Sequence, residues 1–379
     1  MEVYLDNSAT TRCFPEAAEL MKQIMCEDYG NPSSLHRKGV QAENHLRTAK
    51  ETIAKILKVN EKELLFTSGG TESDNLALIG AAHANCRRGK HLITTSIEHP
   101  AILQTMKYLE EEGYRVTYLP VDEKGCIRLE DLQRAITGET ILVSIMYTNN
   151  EVGSQQPIAQ AGALIKKMNP QILFHVDAVQ AWMRVPIKLA NIDTLAVSGH
   201  KIHAPKGIGA LYLSDSLYQA FQAPYLGGEQ EREKRPGTEN LPYALGLAAA
   251  ATRLNKTMKS RDAAVRALNQ RLREGLKAFP EVVINSPDNA VPEVLNFSEN
   301  CIKSETMLAH LAQQQVYVSS ASACGRGQPS HTLAAMGRDP LAIDTAIRVS
   351  FCADNTPEDV DAFLNTFEDG MKHLQRIRR

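Results

Sequence analysis

The chain has 379 residues, 43% apolar and 23% charged, with a formal net charge of −2. That length allows a large core or two domains, and the composition is that of an ordinary soluble globular protein. The balanced charge gives no electrostatic case for direct binding of nucleic acid or an anionic membrane surface. The small-apolar run from Ala244 to Ala251 is far too short to cross a bilayer. Met1-Glu-Val-Tyr-Leu-Asp lacks the basic and then apolar pattern of a secretory signal, so a cytoplasmic location is expected. Seven cysteines, at 13, 26, 86, 126, 301, 324 and 352, are odd in number and form no Cys-x-x-Cys pair. This argues against a disulfide framework and against a metal site, and leaves any exposed cysteine free to act as a thiol.

From about residue 60 to residue 213, short β-rich runs alternate with helix-length segments, which predicts βαβ units and a mostly parallel sheet. Leu64 to Thr67 predicts a strand, then a Ser68-Gly69-Gly70-Thr71 turn and a helix from Glu72. The free N–H groups and dipole of such a helix start suit a phosphate. His91 to Thr95 precedes Ile97-Glu98-His99-Pro100 and a helix from Ala101. There the flat His99 ring could stack on a cofactor. After Arg115 to Leu119, the run Thr140 to Met146 leads into Asn149-Asn150-Glu151. Ile172 to Val176 ends in Asp177, a carboxylate whose burial demands a cationic partner. Thr194 to Val197 stops at Ser198-Gly199-His200-Lys201, before a strand from Ile208 to Leu213. A lysine desolvated at a strand end can act as an amine nucleophile, and Schiff-base formation with pyridoxal phosphate is one established use.

Each feature alone has a plainer explanation: a capped helix, a structural histidine, a turn, an ion pair, a surface lysine. Together they fall at successive strand ends, which lie along one edge of a parallel sheet and can face one ligand. Beyond residue 255, residues 256–279 predict a long helix. Strands at Glu281 to Ile284, Val294 to Phe297, Val316 to Ser319 and Ile347 to Phe351, among helices 303–315 and 357–375, predict a smaller α+β domain. The expected division is a large domain at 15–255 and a small one made of 1–14 and 256–379.

With these motifs in place the chain resembles the cysteine desulfurases of the NifS/IscS type, pyridoxal-phosphate (PLP) enzymes of the aspartate-aminotransferase fold (fold type I). The likeness runs from Tyr4-Leu-Asp-Asn-Ser-Ala-Thr-Thr11 and Gly30-Asn-Pro-Ser-Ser34 to Ile347-Arg-Val-Ser-Phe351. It implies that Lys201 forms the Schiff base, Asp177 pairs the pyridine nitrogen, and His99 stacks on the ring and relays protons. Asn150 and Gln180 would approach the phenolic oxygen, while Gly70, Thr71, Ser198 and His200 hold the phosphate. Thr238, in Arg235-Pro-Gly-Thr-Glu-Asn240, would reach the phosphate of a neighbouring subunit, which implies a homodimer. Asn31, Asn150 and Arg348 match positions that take the substrate carboxylate, for which a planar guanidinium is apt. Val318-Ser-Ser-Ala-Ser-Ala-Cys-Gly-Arg-Gly-Gln-Pro-Ser-His331 matches the segment of the catalytic cysteine, which places that role on Cys324, with Arg326 favouring the thiolate.

Two departures stand out. The segment after Cys324 is shorter than in long-loop members and reads Gly-Arg-Gly-Gln, which bears on the sulfur acceptor. Glu229 and Glu233 stand where the family usually has glycines, so the turn there should differ if those positions take positive φ. The implied activity converts L-cysteine to L-alanine and passes sulfur through Cys324 to an acceptor protein, in iron–sulfur cluster assembly or tRNA thiolation. A selenocysteine lyase, another aminotransferase-fold PLP enzyme, and a non-catalytic PLP-binding scaffold remain the alternatives.

Overall fold

The computed structural model describes residues 2–320 and 329–377. Cys324 and Arg326 therefore lie outside the described residues.

A two-residue strand, Val3–Tyr4 (β1), opens the chain. The large sheet follows from Leu64–Thr67 (β2), His91–Thr95 (β3), Arg115–Leu119 (β4), Thr140–Ser144 (β5), Leu173–Asp177 (β6), Thr194–Ser198 (β7) and Gly209–Leu213 (β8). Its order is β2-β8-β7-β6-β5-β3-β4. β8 runs antiparallel to both neighbours, and every other pairing is parallel. Because β8 reverses between β2 and β7, β2 still points the same way as β3 to β7, and six C-terminal ends share one edge.

The strands are apolar because both faces are covered. Alternate residues serve opposite layers: Leu92 and Leu142 pack with Leu78 and Ile102, while Ile93 and Val143 join Ala42, Phe174 and Leu247. The helix Gly70–Asn85 lies across β5 to β8 on the first side. On the other side, Pro15–Cys26 and Arg37–Leu57, which the sequence reading left without an element, pack on the helix Leu241–Leu276.

That last helix extends the expected 256–279 by four turns toward the N-terminus. The missed part carries Leu241, Ala244, Leu245, Leu247, Ala248 and Leu254, all buried. An apolar surface that wraps the helix leaves no one-sided periodicity to read. Asn240 caps its start, accepting from the Tyr243 N–H.

The smaller unit holds Val283–Ile284 (β9), Val294–Ser298 (β10), Val316–Tyr317 (β11), Ser319–Ser320 (β12) and Ala346–Ser350 (β13). β12-β13-β10-β9 form an antiparallel sheet, while β11 leaves it to pair in parallel with β1. The strand expected at Val316 to Ser319 is thus two strands that serve different sheets. Phe297, Phe363 and Phe367 centre the small-unit cluster, which also takes in Val3 and Leu5 from the chain's start. The fold class is the expected one: a mostly parallel large sheet with a smaller α+β unit.

The segment with the unexpected glutamates folds against β2. Glu229 has an ordinary φ of −81°, but Glu233 sits at φ +63°, after Glu231 at +48° and Arg232 at +55°. Left-handed backbone costs an L-residue about 1–2 kcal/mol, so three in succession need compensation. Glu231 supplies it: its buried carboxylate pairs with Lys50 and accepts the Phe66 N–H at 3.2 Å. Tyr218 donates its hydroxyl to the Glu231 carbonyl at 3.2 Å. Burial pushes the Glu231 carboxyl up, and Lys50 opposes that. Lys50→Met should therefore cost roughly 3–5 kcal/mol in urea unfolding, because it strands a buried charge. Lys50→Met with Glu231→Leu should regain most of that loss. A double variant no more stable than the single one would show that the pair does not hold the turn.

Candidate active site

The shared strand edge opens on a cavity of about 350 Å³. Its lining brings together Gly70, Thr71, His99, Asn150, Asp177, Gln180, Ser198, His200, Lys201 and Arg348, all expected from the sequence. Asn31 is exposed, its side chain turned back to accept the Ser33 N–H, and it does not line the cavity. Thr238 lines a separate cleft with Ser68 and Arg235. Within one chain these two are apart from the other site residues.

Each strand end delivers its residue by its own geometry. After β2, Gly69 turns the chain at φ +155° and the helix Gly70–Asn85 begins without a side-chain cap. A Cβ on Gly70 would stand 2.7 Å from Val179 Cγ2, so the helix start can approach this closely only as glycine. Ser198 closes β7 beside it, and a 3-10 turn, Gly199–Lys201, sets His200 and Lys201 at the floor. Lys201 Nζ donates to the carbonyls of Ser8 at 2.7 Å and Ala9 at 2.8 Å.

After β3, His99 caps the helix Pro100–Glu111: its Nδ1 accepts the Ala101 N–H at 3.1 Å. Burial, helped by Lys201, lowers the His99 ring to about 4, so it is neutral with its proton on Nε2. Burial lowers His200 to about 4 as well.

Asp177 ends β6 and accepts the Val179 N–H at 2.8 Å. Burial, then the neighbouring Asp74, pushes its carboxyl up to about 7. Gln180 is spanned by its neighbours: Nε2 donates to Ser8 O at 3.0 Å and Oε1 accepts from Arg184 at 2.6 Å. Arg348 comes from β13 of the small unit. Its Nη1 donates to the Asn150 carbonyl at 3.0 Å and its Nη2 to Asp6 Oδ1 at 3.0 Å, while Nε is buried with no partner among the described residues.

The sequence reading gave no role to Asp74 and Glu98. Asp74 is buried 3.2 Å from His175 Nε2, and burial holds its carboxyl well above the ordinary range. It lies one helical turn beyond Gly70, and that spacing was the available signal. Glu98 is fully buried, accepts from Thr95 and the Met146 N–H, and is likewise pushed well up by burial. Of these three acids, Asp74 and Asp177 line the cavity.

These groups fit pyridoxal phosphate. The cavity lining offers an uncapped helix N-terminus with Thr71, Ser198 and His200 for a phosphate, a buried acid for a protonated ring nitrogen, and an amine. Among the described residues no cluster has the composition of a metal site.

Comparison with known proteins agrees. The aminotransferase class-V pattern matches residues 3–363. The chain is 43% identical to "Cysteine desulfurase IscS" of Clostridium botulinum, over 99% of this chain and 96% of that one. It is 41% identical to "Cysteine desulfurase IscS" of Methanosarcina thermophila, over 99% and 93%. A solved "NifS-like protein" superposes with a TM-score of 0.94 at 38% identity, covering 99% of this chain and all of the other. With sequence, topology and cavity in agreement, the chain belongs to the aminotransferase class-V family, among its NifS/IscS-type members.

Proposed function

We propose that the chain is a PLP-dependent cysteine desulfurase, which converts L-cysteine to L-alanine and leaves the sulfur on Cys324 as a persulfide. The convergence of Lys201, Asp177, His99 and a bare helix N-terminus on one cavity carries this reading. It is supported by whole-length likeness to cysteine desulfurases. Bound PLP supplies an electron sink for the substrate's α-carbon.

Gly70, Thr71, Ser198 and His200 are the residues to hold its phosphate, Asp177 its ring nitrogen, and Asn150 and Gln180 its phenolic oxygen. His99 is the one to stack on the ring. Lys201 carries the cofactor and then moves the substrate's α-proton through Nζ. Arg348, with Asn150 and Asn31, takes the substrate carboxylate. The Cys324 thiolate attacks the substrate sulfur: an S–S bond forms, the Cβ–S bond breaks, and Cβ takes up a proton to give alanine.

Thr238 and Asn31, both outside this chain's cavity, suit a homodimer in which a second copy completes each site. Residues 15–255 serve as the cofactor-binding domain, with 1–14 and 256–379 as the small domain. The sulfur then passes to an acceptor protein. The short segment after Cys324 favours one that brings its own thiol inward, for iron–sulfur assembly or tRNA thiolation. A cytoplasmic setting, with no direct nucleic-acid or membrane binding, suits such a thiol relay; among the described residues no helix is long and apolar enough to cross a membrane.

Borohydride reduction of the purified yellow protein, followed by peptide mapping, should place the pyridoxyl label on Lys201. A label on Lys206, or none, would sink the assignment. Cys324→Ala should keep the wild-type cofactor spectrum and bind L-cysteine, yet release no alanine; alanine at the wild-type rate would refute the persulfide route. Asp177 gives a pH test on the cofactor-free chain. Its folded pKa of about 7 lies above the ordinary value of 3.8, so the stability it contributes is complete below about 4 and is lost as pH rises through about 7. Thermal melts of the apoprotein should decline across that window, more steeply than those of Asp177→Asn, and PLP should abolish the difference. Parallel apoprotein curves for the two would count against a buried, unpaired Asp177.

A further inference from the structure

Arg348 is 3% exposed, and a buried guanidinium needs both a counter-charge and a fixed direction. Its counter-ion is Asp6, which belongs neither to its strand nor to the large sheet. Asp6 follows β1 and bridges Ser350, two residues beyond Arg348 on β13. The same Asp6 oxygen that accepts from Arg348 Nη2 at 3.0 Å also accepts from Ser319 Oγ at 2.8 Å. Ser319 is the cross-strand partner of Arg348 in the β12–β13 pair. One carboxylate oxygen thus fixes a neighbouring strand and the guanidinium together. Nη1 on the Asn150 carbonyl and Nη2 on Asp6 hold the long side chain at two points, and Nε has no partner among the described residues.

We propose that Asp6 is a positioning residue for carboxylate recognition: it holds the Arg348 guanidinium in the direction in which it receives the α-carboxylate of the amino-acid substrate. This rests on the reading that Arg348 takes that carboxylate. Pre-fixing a long side chain removes an ordering cost that binding would otherwise meet. Asp6 therefore strengthens binding of ligands that carry a carboxylate and leaves others untouched. It does not touch the reacting atoms, so it acts on KM and leaves kcat near its wild-type value.

The test uses holoenzyme and two ligands that contain no sulfur: L-alanine, and ethylamine, which is the same molecule without its carboxylate. Each is titrated against the visible cofactor spectrum of wild type, Asp6→Asn, Arg348→Lys and the double variant, alongside KM and kcat for L-cysteine. Asp6→Asn should weaken L-alanine and raise KM roughly tenfold, the scale of one charge-assisted hydrogen bond. Ethylamine binding and kcat should hold within about twofold, within the usual scatter of surface substitutions. In the Arg348→Lys background, Asp6→Asn should add little, because the two act as one unit. Should Asp6→Asn fail to fold, Ser319→Ala removes the other donor to the same oxygen. It should weaken L-alanine about two- to fivefold, the scale of a neutral hydrogen bond.

If Arg348→Lys binds L-alanine as wild type does, the reading of Arg348 falls and takes the proposal with it. If Arg348→Lys is impaired but Asp6→Asn is not, the reading stands and the proposal is overturned. Equal weakening of L-alanine and ethylamine by Asp6→Asn would also overturn it, as the mark of a merely structural role.

Discussion

Asp177 ends a strand buried between parallel neighbours, and burial pushes its carboxyl up to about 7. A charge in that position is tolerable only with a cation beside it. The parallel sheet creates the difficulty and also the remedy, because it sets the other functional groups along the same edge as Asp177. One reversed strand, β8, leaves that edge intact, since β2 regains the common direction beyond it.

The protonation pattern around the cavity follows from the same burial. His99, His175 and His200 are all lowered to about 4 and are neutral, burial being the largest cause in each. Asp74 and Glu98 are pushed the other way by the same burial, well above the ordinary carboxyl range. A neutral His99, its Nδ1 occupied by a backbone N–H, offers a flat ring and a single Nε2 proton.

Much of this was legible in the sequence. Strand ends are marked by abrupt shifts from apolar to small and polar residues, as at Val197-Ser198-Gly199, and parallel topology aligns them without further information. Ten of the expected residues consequently line one cavity. What escaped was governed by contacts between distant segments. The buried first half of the helix Leu241–Leu276 has no polar face to reveal its period. Val316 to Ser319 divides between two sheets because β1 captures its first half. Asp74 and Glu98 are ordinary acids until the fold seals them.

The stretch from Asp6 to Thr10 shows how little chain is needed to join the two units. Alternation on β13 sends Ile347 and Val349 into the small-unit core and turns Arg348 and Ser350 the other way. The stretch lies on that polar side: Asn7 N donates to the Ser350 carbonyl, and Ser8 N donates to its hydroxyl at 2.9 Å. From there the Ser8 and Ala9 carbonyls receive Lys201, Ser8 also receives Gln180, and Thr10 meets His200. Five residues therefore set the distance between the guanidinium from the small unit and the amine from the large one. A one-residue slip in their pairing with β13 would reverse which side chains face Arg348. It would also shift the carbonyls under Lys201 by about 3.3 Å, a full residue of strand rise. An error of that size exceeds any hydrogen bond's tolerance, so the register of this seam constrains the site as strongly as the sheet does.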